Sequence, residues 1–303
     1  MGSERRGPLD DLTSLAYRTG AMAARLMPRI ALEGVGLLAA TSFDLLGGER
    51  RRMVVRHQRR AAGHPLDPVE ERRLVQAVVE SYARYWAEAF RLPDLSPAQL
   101  DAEFVADGLE RVDEALERGR GAVLALPHLG GWEWAGAWMA SKGYPLTVVV
   151  EPVQPPSLFD WFVDLRQGVG LTVVPLGPGA GPTVLAALRR NEVVCLVCDR
   201  DIGGGGIDVT FFEERTTLPG GPATLALRSG AALLPAAIYF TGRTGHHGVV
   251  RPPLVTERRG SLREDVSRVT QDLADELELL IRRAPEQWHL LQPNWPSDRE
   301  AGP

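Results

Sequence analysis

Cysteine is scarce in this 303-residue sequence: Cys195 and Cys198, within "VVCLVCDRD", are the only two. The pair reads C-x-x-C, yet no second Cys or His pair accompanies it, so a zinc site is not indicated. A redox motif needs a helix to start after the first Cys, and here the apolar run continues as a strand. Buried structural thiols in a reducing compartment are expected. No stretch supplies the roughly 20 apolar residues of a spanning helix. The first residues carry acids and lack the apolar core and small-residue cleavage site of a signal peptide. A protein that is soluble or rests on a membrane surface is expected. No G-x-S-x-G elbow is present, so the chain brings no serine nucleophile of that type. There is no internal repeat or low-complexity tract, and a net charge of -5 gives no general affinity for nucleic acid.

The remaining composition, 44% hydrophobic and 24% charged, is that of a globular chain with ample core. Charge is unevenly spread. Residues 1–60 hold 11 arginines against six acids, a balance of +5, which leaves -10 for residues 61–303. A basic leader on an acidic body fits either an anionic lipid surface or a solvated face. Leu12, Leu15, Ala16, Met22, Leu26, Ile30 and Leu37 recur at helical spacing, with Arg18, Arg25 and Arg29 among them. Pro28 should divide this segment. Its apolar face either packs on the body or lies in a bilayer interface. Residues 47–63 form a basic connector or helix. Asp67-Pro68 is an N-cap followed by proline and starts a strong helix that stops before Pro93; Ser96 starts a short one.

From residue 121 short apolar runs alternate with helical stretches. Strands are expected at 121–126, 146–150, 171–175, 193–198, 206–212, 231–240 and 248–254. Helices are expected near 131–142, 156–168, 182–190, 220–230 and 261–283. This alternation predicts an α/β fold with a mainly parallel central sheet flanked by helices. Residues 1–60 are expected as a basic amphipathic leader, 61–295 as one α/β domain, and 296–303 as a frayed tail.

Sites in open α/β sheets gather at the carboxyl ends of strands. Three polar clusters fall at such ends: His128, Glu151 and Asp199-Arg200-Asp201. Arg166 lies on the helix after Glu151. In "LALPHLGGWEW", His128 precedes a helix and Glu133 falls in its opening turns. A carboxylate on one imidazole nitrogen fixes the tautomer and makes the other nitrogen a better base. Gly130 and Gly131 would admit substrate close to the backbone, and the helix N-terminus favours negative charge. This is a general-base layout that relies on a substrate hydroxyl as nucleophile. A structural histidine at a strand end is the competing reading. Asp199-x-Asp201 alternatively suits a metal-dependent glycosyltransferase, though such a short motif is common. "GPGAGP" (177–182) lacks the third glycine of a phosphate loop and reads as a plain loop. The four glycines 203–206 read as a mobile turn. Trp132, Trp134, Trp138, Phe159, Trp161 and Phe162 either pack in the core or wall a lipid pocket, which a non-catalytic lipid-binding protein would also have.

"HLGGWE" resembles the His-x4-Asp/Glu motif of the bacterial glycerolipid and lipid A acyltransferase superfamily. "FVDLRQGVGLTVVPL" (162–176) and "CDRDIGGGGIDVTFFEERTTLPGGPATLALRSGAALLPA" (198–236) are similar to its later blocks. "SYARYWAEAFRLP" (81–93) and "QWHLLQPNW" (287–295) resemble the actinobacterial phosphatidylinositol mannoside acyltransferase subgroup. The resemblance covers about 75–295. It implies a glycerolipid acyltransferase-like fold with an N-terminal helical membrane-docking segment. It also implies transfer of a fatty acyl group from acyl-CoA, a co-substrate, to a mannose hydroxyl of a phosphatidylinositol mannoside. His128 maps to the base and Glu133 to its carboxylate partner. Glu151, Arg166 and Asp199 map to charged groups at the site, and Arg200, Asp201, Gly130, Gly131 and Trp132 are expected beside them as substrate-binding residues. The resemblance implies no cofactor, no metal and no nucleic-acid partner. It implies an anionic membrane surface as partner, at the cytoplasmic face of the plasma membrane. Two positions depart from the subgroup's pattern. Glu133 stands where Asp is usual, and Asp199 where Glu is frequent.

Overall fold

The computed structural model describes residues 8–28, 31, 34, 38, 40–43 and 48–300. The apolar runs become strands: β1 (Phe104–Asp107), β2 (Ala122–Leu126), β3 (Leu146–Val150), β4 (Thr172–Pro175), β5 (Val193–Val197), β6 (Ile207–Phe211), β7 (Glu214–Leu218), β8 (Ala232–Thr241) and β9 (Gly245–Val250). Seven of them form one sheet in the order β1-β9-β8-β2-β5-β3-β4. From β8 to β4 all neighbours run parallel. β9 is antiparallel to β8, and β1 runs parallel with β9. The sheet is therefore mainly parallel, as expected, with two reversed strands at one edge. Every residue of β2 is buried, as befits a strand covered on both faces. Its Leu124 and Leu126 pack with the helices of one face, Val123 and Ala125 with those of the other.

One face carries α4 (Pro97–Ala102), α5 (Glu110–Glu117) and α6 (Trp132–Ser141). The other carries α8 (Ala180–Arg189), α9 (Gly221–Ser229) and α10 (Leu262–Arg282). α7 (Pro156–Gly168) lies against β4. Helix starts follow their caps. The Asp67 carboxylate accepts from the Val69 and Glu70 amides to open α3 (Pro68–Arg91). Ser96 with Gln99, and Ser261 with Glu264, form capping boxes ahead of α4 and α10.

Four expectations change. β1 and β7 were not expected: β1 is four residues long, and β7, "ERTTL", lacks an apolar run. β6 leaves the central sheet to form an antiparallel hairpin with β7, turning through Phe212 and Glu213, both at positive φ. The boundary at residue 60 does not hold, because α2 (Gly48–Ala62) buries Met53, Val54, Val55 and Ala61 against the body. Nor is the tail frayed from 296. α11 (Pro296–Glu300) begins there, and Asp298 is buried, accepting from Arg60 and from the Asn294 and Trp295 amides.

α1 (Pro8–Leu26) ends before Pro28 and packs on α3 and α7 through small side chains, Ser14, Ala21 and Ala24. Ser14 Oγ meets Ser157 Oγ at 2.8 Å, and Tyr17 meets Phe162 edge-on. The large apolar side chains Leu15, Met22 and Leu26 stay exposed on the outer side. The expectations placed on Arg29, Ile30 and Leu37 fall outside the described residues. No helix among the described residues is long and apolar enough to cross a membrane.

Candidate active site

The pairing of β2 with β5 creates the site. Leu126 stands opposite Val197 in the parallel register, so the residues two beyond each strand, His128 and Asp199, emerge side by side. His128 Nδ1 lies 2.5 Å from Asp199 Oδ1, and the His128 amide donates to Asp199 Oδ2 at 3.0 Å. The Trp288 indole N–H donates to the same Oδ2 at 2.7 Å. Asp199 is wholly buried. Burial works to raise its pKa, but the His128 imidazole, the indole and the His128 amide together hold it below the ordinary carboxylate value. An ionised carboxylate only accepts, so Nδ1 carries the proton and Nε2 of the neutral imidazole presents its lone pair. His128 keeps 26% of its side chain exposed.

Glu133, expected to hold this imidazole, does something else. In the first turn of α6 it faces α3 and α7. There Glu133 accepts from Arg166 Nε at 3.0 Å and also pairs with Arg166 Nη2. It accepts from the Tyr85 hydroxyl at 3.2 Å. Glu133 and Arg166 are 8% and 16% exposed. Burial is the largest single influence and works to lower the Arg166 pKa, but Glu133 and Tyr85 together, by charge and by hydrogen bond, hold the guanidinium above its usual value. Burial, reinforced by Glu133, lifts Tyr85 well above the usual phenol value. The carboxylate partner of His128 is Asp199, and Glu133 anchors a buried cluster beside it.

Glu151 and Arg200, from the ends of β3 and β5, meet at 2.6 Å. Arg200 Nε is buried with no protein partner. Asp201 is occupied otherwise: its carboxylate accepts from the Gly204 and Gly206 amides and from Thr217 Oγ1 at 3.0 Å. It thereby ties the glycine turn to β7. With both Asp199 oxygens also engaged, the Asp-x-Asp pair is not arranged as a metal site. Among the described residues, no group of three or more His, Cys, Asp or Glu is placed to hold a metal ion. The glycine expectation is corrected too. Gly130 has φ +60°, and a Cβ there would come 1.9 Å from the Ile238 carbonyl oxygen. Its amide donates to the Gln287 carbonyl at 3.0 Å. At Gly131 a Cβ would meet His246 at 2.8 Å. Both glycines serve close packing on β8 and β9 rather than substrate approach.

His128, Glu133, Glu151, Arg166, Arg200 and Asp201 all line one cavity of about 640 Å³. Trp132, Trp138, Phe159 and Phe162 share its wall, and Leu124, Leu126 and Met139 extend it as an apolar pocket between β2 and α6. Trp134 instead stacks on His246 at 4.2 Å, and Trp161 packs on Phe90 and Phe162. The cysteines are free thiols. Burial pushes Cys195 up to about 12 and Cys198 up as well, so neither is a poised thiolate.

Reading by motif missed Tyr85, Trp288, His289 and Asn294. His289 lines the cavity, and its Nε2 meets Ser81 Oγ at 2.8 Å. Burial pushes it down to about 3, so it is a neutral second histidine. Asn294 Nδ2 donates to the Asp199 carbonyl at 3.0 Å. The signals for these residues were the resemblance of "SYARYWAEAFRLP" for Tyr85 and of "QWHLLQPNW" for the other three, and neither carried a role for any of them.

Comparison with known proteins fits this architecture. The family model for bacterial lipid A biosynthesis acyltransferase matches residues 10–297. A phosphatidylinositol mannoside acyltransferase of Mycobacterium tuberculosis is 40% identical over 291 residues, 94% of this chain and 89% of the relative. The protein of that name from Mycolicibacterium smegmatis is 39% identical over 290 residues, 95% of this chain and 92% of the relative. A lipid A biosynthesis acyltransferase of Haemophilus influenzae is 28% identical over 195 residues, 63% of this chain and 58% of the relative. These matches replace the glycosyltransferase and lipid-carrier alternatives with a single enzyme class. The chain belongs to the bacterial lipid A biosynthesis acyltransferase family and is an acyltransferase.

Proposed function

We propose that the protein transfers a fatty acyl group from acyl-CoA to a mannose hydroxyl of a phosphatidylinositol mannoside, with His128 as general base. The observation that carries the proposal is the His128 imidazole, its tautomer fixed by Asp199, at an apolar cavity of about 640 Å³. The names of the mycobacterial relatives motivate the choice of acceptor.

The acceptor oxygen attacks the thioester carbonyl as its proton passes to His128 Nε2. Asp199 stabilises the imidazolium so formed. The carbon–sulfur bond of the tetrahedral intermediate then breaks, and the leaving thiolate takes the proton back from Nε2. Ester and free CoA thiol result, with no covalent enzyme intermediate. The Gly130 amide is engaged, so oxyanion stabilisation falls to the first amides of α6, with Arg166 held nearby by Glu133. The acyl chain occupies the pocket between β2 and α6. Arg200, with its Nε unpartnered, and Glu151 contact the polar headgroup or the CoA. Leu15, Met22 and Leu26 on α1 insert into the interface of an anionic membrane, flanked by Arg18, and hold the enzyme peripherally at the cytoplasmic face.

The test is acyl transfer from acyl-CoA to purified membrane glycolipids, read by mass spectrometry, with and without chelator. His128→Ala should lose roughly 100- to 10,000-fold in rate with the fold intact. A near-native rate removes His128 from the mechanism, and loss of activity with chelator alone points to a metal. Replacing Leu15, Met22 and Leu26 by Ser should weaken binding to vesicles containing anionic lipid; unchanged binding removes α1 from the docking surface.

A further inference from the structure

Residues 285–298 run past the site and grip both members of the His128–Asp199 pair. The His289 amide donates to the His128 carbonyl at 2.7 Å, and the Gln287 carbonyl accepts from Gly130. Leu129 and Trp288 form an isolated antiparallel bridge. Asn294 holds the backbone of Asp199, and Trp288 holds its carboxylate. The segment is itself fastened to α2. His57 Nε2 bonds the Gln292 carbonyl at 2.9 Å and Gln58 the Pro285 carbonyl at 2.7 Å. Arg60 bonds Asp298 at 2.9 Å and sits 4.1 Å from the Trp295 ring.

We infer that this segment is a strap that positions the catalytic pair, and that Trp288 is a positioning residue acting through Asp199. The inference rests on His128 being the base. An Asp side chain has two free torsions, and a carboxylate free to rotate would hold the imidazole in no single orientation. Here Oδ1 accepts from His128 Nδ1, while Oδ2 accepts from the His128 amide and the indole, so both torsions are fixed. Indole suits the task because it is a donor only. It stabilises the ionised form of Asp199 and never competes with His128 as a proton acceptor. Trp288 is 1% exposed, walled by Phe212 at 5.4 Å and His57 at 5.5 Å, so its own geometry is fixed.

The experiment replaces Trp288 in the full chain by 3-benzothienylalanine, which keeps the shape of tryptophan and has sulfur in place of N–H. The expected result is a fall of about 10- to 100-fold in kcat, the scale of outer-shell partner loss. KM for acyl-CoA should stay within about twofold, because the indole does not touch substrate. In an Asp199→Asn background the same replacement should change kcat less than about twofold, since the indole then holds an amide that no longer fixes the productive tautomer. Equal losses in the two backgrounds, or no loss in the wild-type one, overturn the inference. Trp288→Phe, put through the same cycle, serves if the analogue does not fold. His128→Ala separates the two levels. A native rate there sinks the base assignment, whereas a low rate there with no effect at Trp288 sinks the strap alone. The low-field proton resonance of His128 Nδ1–H needs no substrate. It should move on replacement of Trp288, and an unmoved resonance also overturns the inference.

Discussion

Replacing Glu133 by Gln and Asp199 by Asn should give opposite signatures. Glu133 lies against Arg166 with their side chains only 8% and 16% exposed. Removing the carboxylate leaves a nearly buried guanidinium without its counter-charge, a loss of about 3–5 kcal/mol in comparable pairs. Gln retains a hydrogen-bonding oxygen and Arg166 keeps some solvent, so the lower figure, about 3 kcal/mol, is expected. For a chain of 303 residues, with an unfolding entropy of about 2.1 cal/mol/K per residue, that is a fall of roughly 5 °C in melting temperature. Replacing the pair together, Glu133→Leu with Arg166→Met, should recover most of the loss, because neither buried charge remains. Asp199→Asn should leave the fold nearly as stable. The amide oxygen still accepts from Trp288 and the His128 amide, while the amide nitrogen turns the imidazole to the wrong tautomer. Its rate should fall on the order of 100- to 10,000-fold. Calorimetry together with the acyl-transfer assay reads both quantities. A Glu133→Gln protein with unchanged melting temperature and a rate as low as that of Asp199→Asn would refute the assignment and restore Glu133 as the partner of His128.

Three further outcomes follow from groups outside the pair. Burial pushes His57 down from 6.5 to about 4, against the pull of the Gln292 carbonyl and Asp298. The unfolded chain takes up this proton near pH 6.5 and the folded chain only near 4. Its contribution is therefore full above pH 6.5 and drains, by about 3 kcal/mol, as pH falls toward 4. Urea midpoints followed between pH 7.5 and 4.5 should decline less in His57→Gln than in the wild type, and parallel declines would contradict this. Glu213 is exposed at φ +63° in the β6–β7 turn, so Glu213→Gly should stabilise the chain by up to about 1 kcal/mol in the same measurement. Gly130→Ala places a Cβ 1.9 Å from a backbone oxygen that cannot yield, and should cost about 3 kcal/mol or more, seen as loss of soluble protein or a sharply lowered midpoint.

Much of this was legible before the structure, for reasons that are local. The apolar runs at 121–126, 146–150 and 193–198 become β2, β3 and β5 within a residue of their expected ends, because fully buried parallel strands leave continuous apolar text. His128, Glu151 and Asp199 could be placed at strand ends for the same reason. What the text could not carry was strand order. The partner of His128 depends on β5, not β3, lying beside β2, and nothing in either strand announces its neighbour. Reading along the chain favoured Glu133, five residues away. The sheet supplied Asp199, seventy-one residues away, at 2.5 Å. β7 escaped because Thr216 and Thr217 pair in a hairpin without an apolar run. The strap escaped because it holds the pair through backbone groups, one asparagine amide and one indole, groups with no motif of their own.

The order of synthesis gives the strap another meaning. His128 and Asp199 leave the ribosome well before residues 285–298, and Trp288 reaches Asp199 across eighty-nine positions of chain. A growing chain can pair β2 with β5 and still hold a carboxylate whose second oxygen lacks its indole. The pair is fully held only after residues 285–298 have been made, by which point every strand of the sheet and both helical layers have already been synthesised.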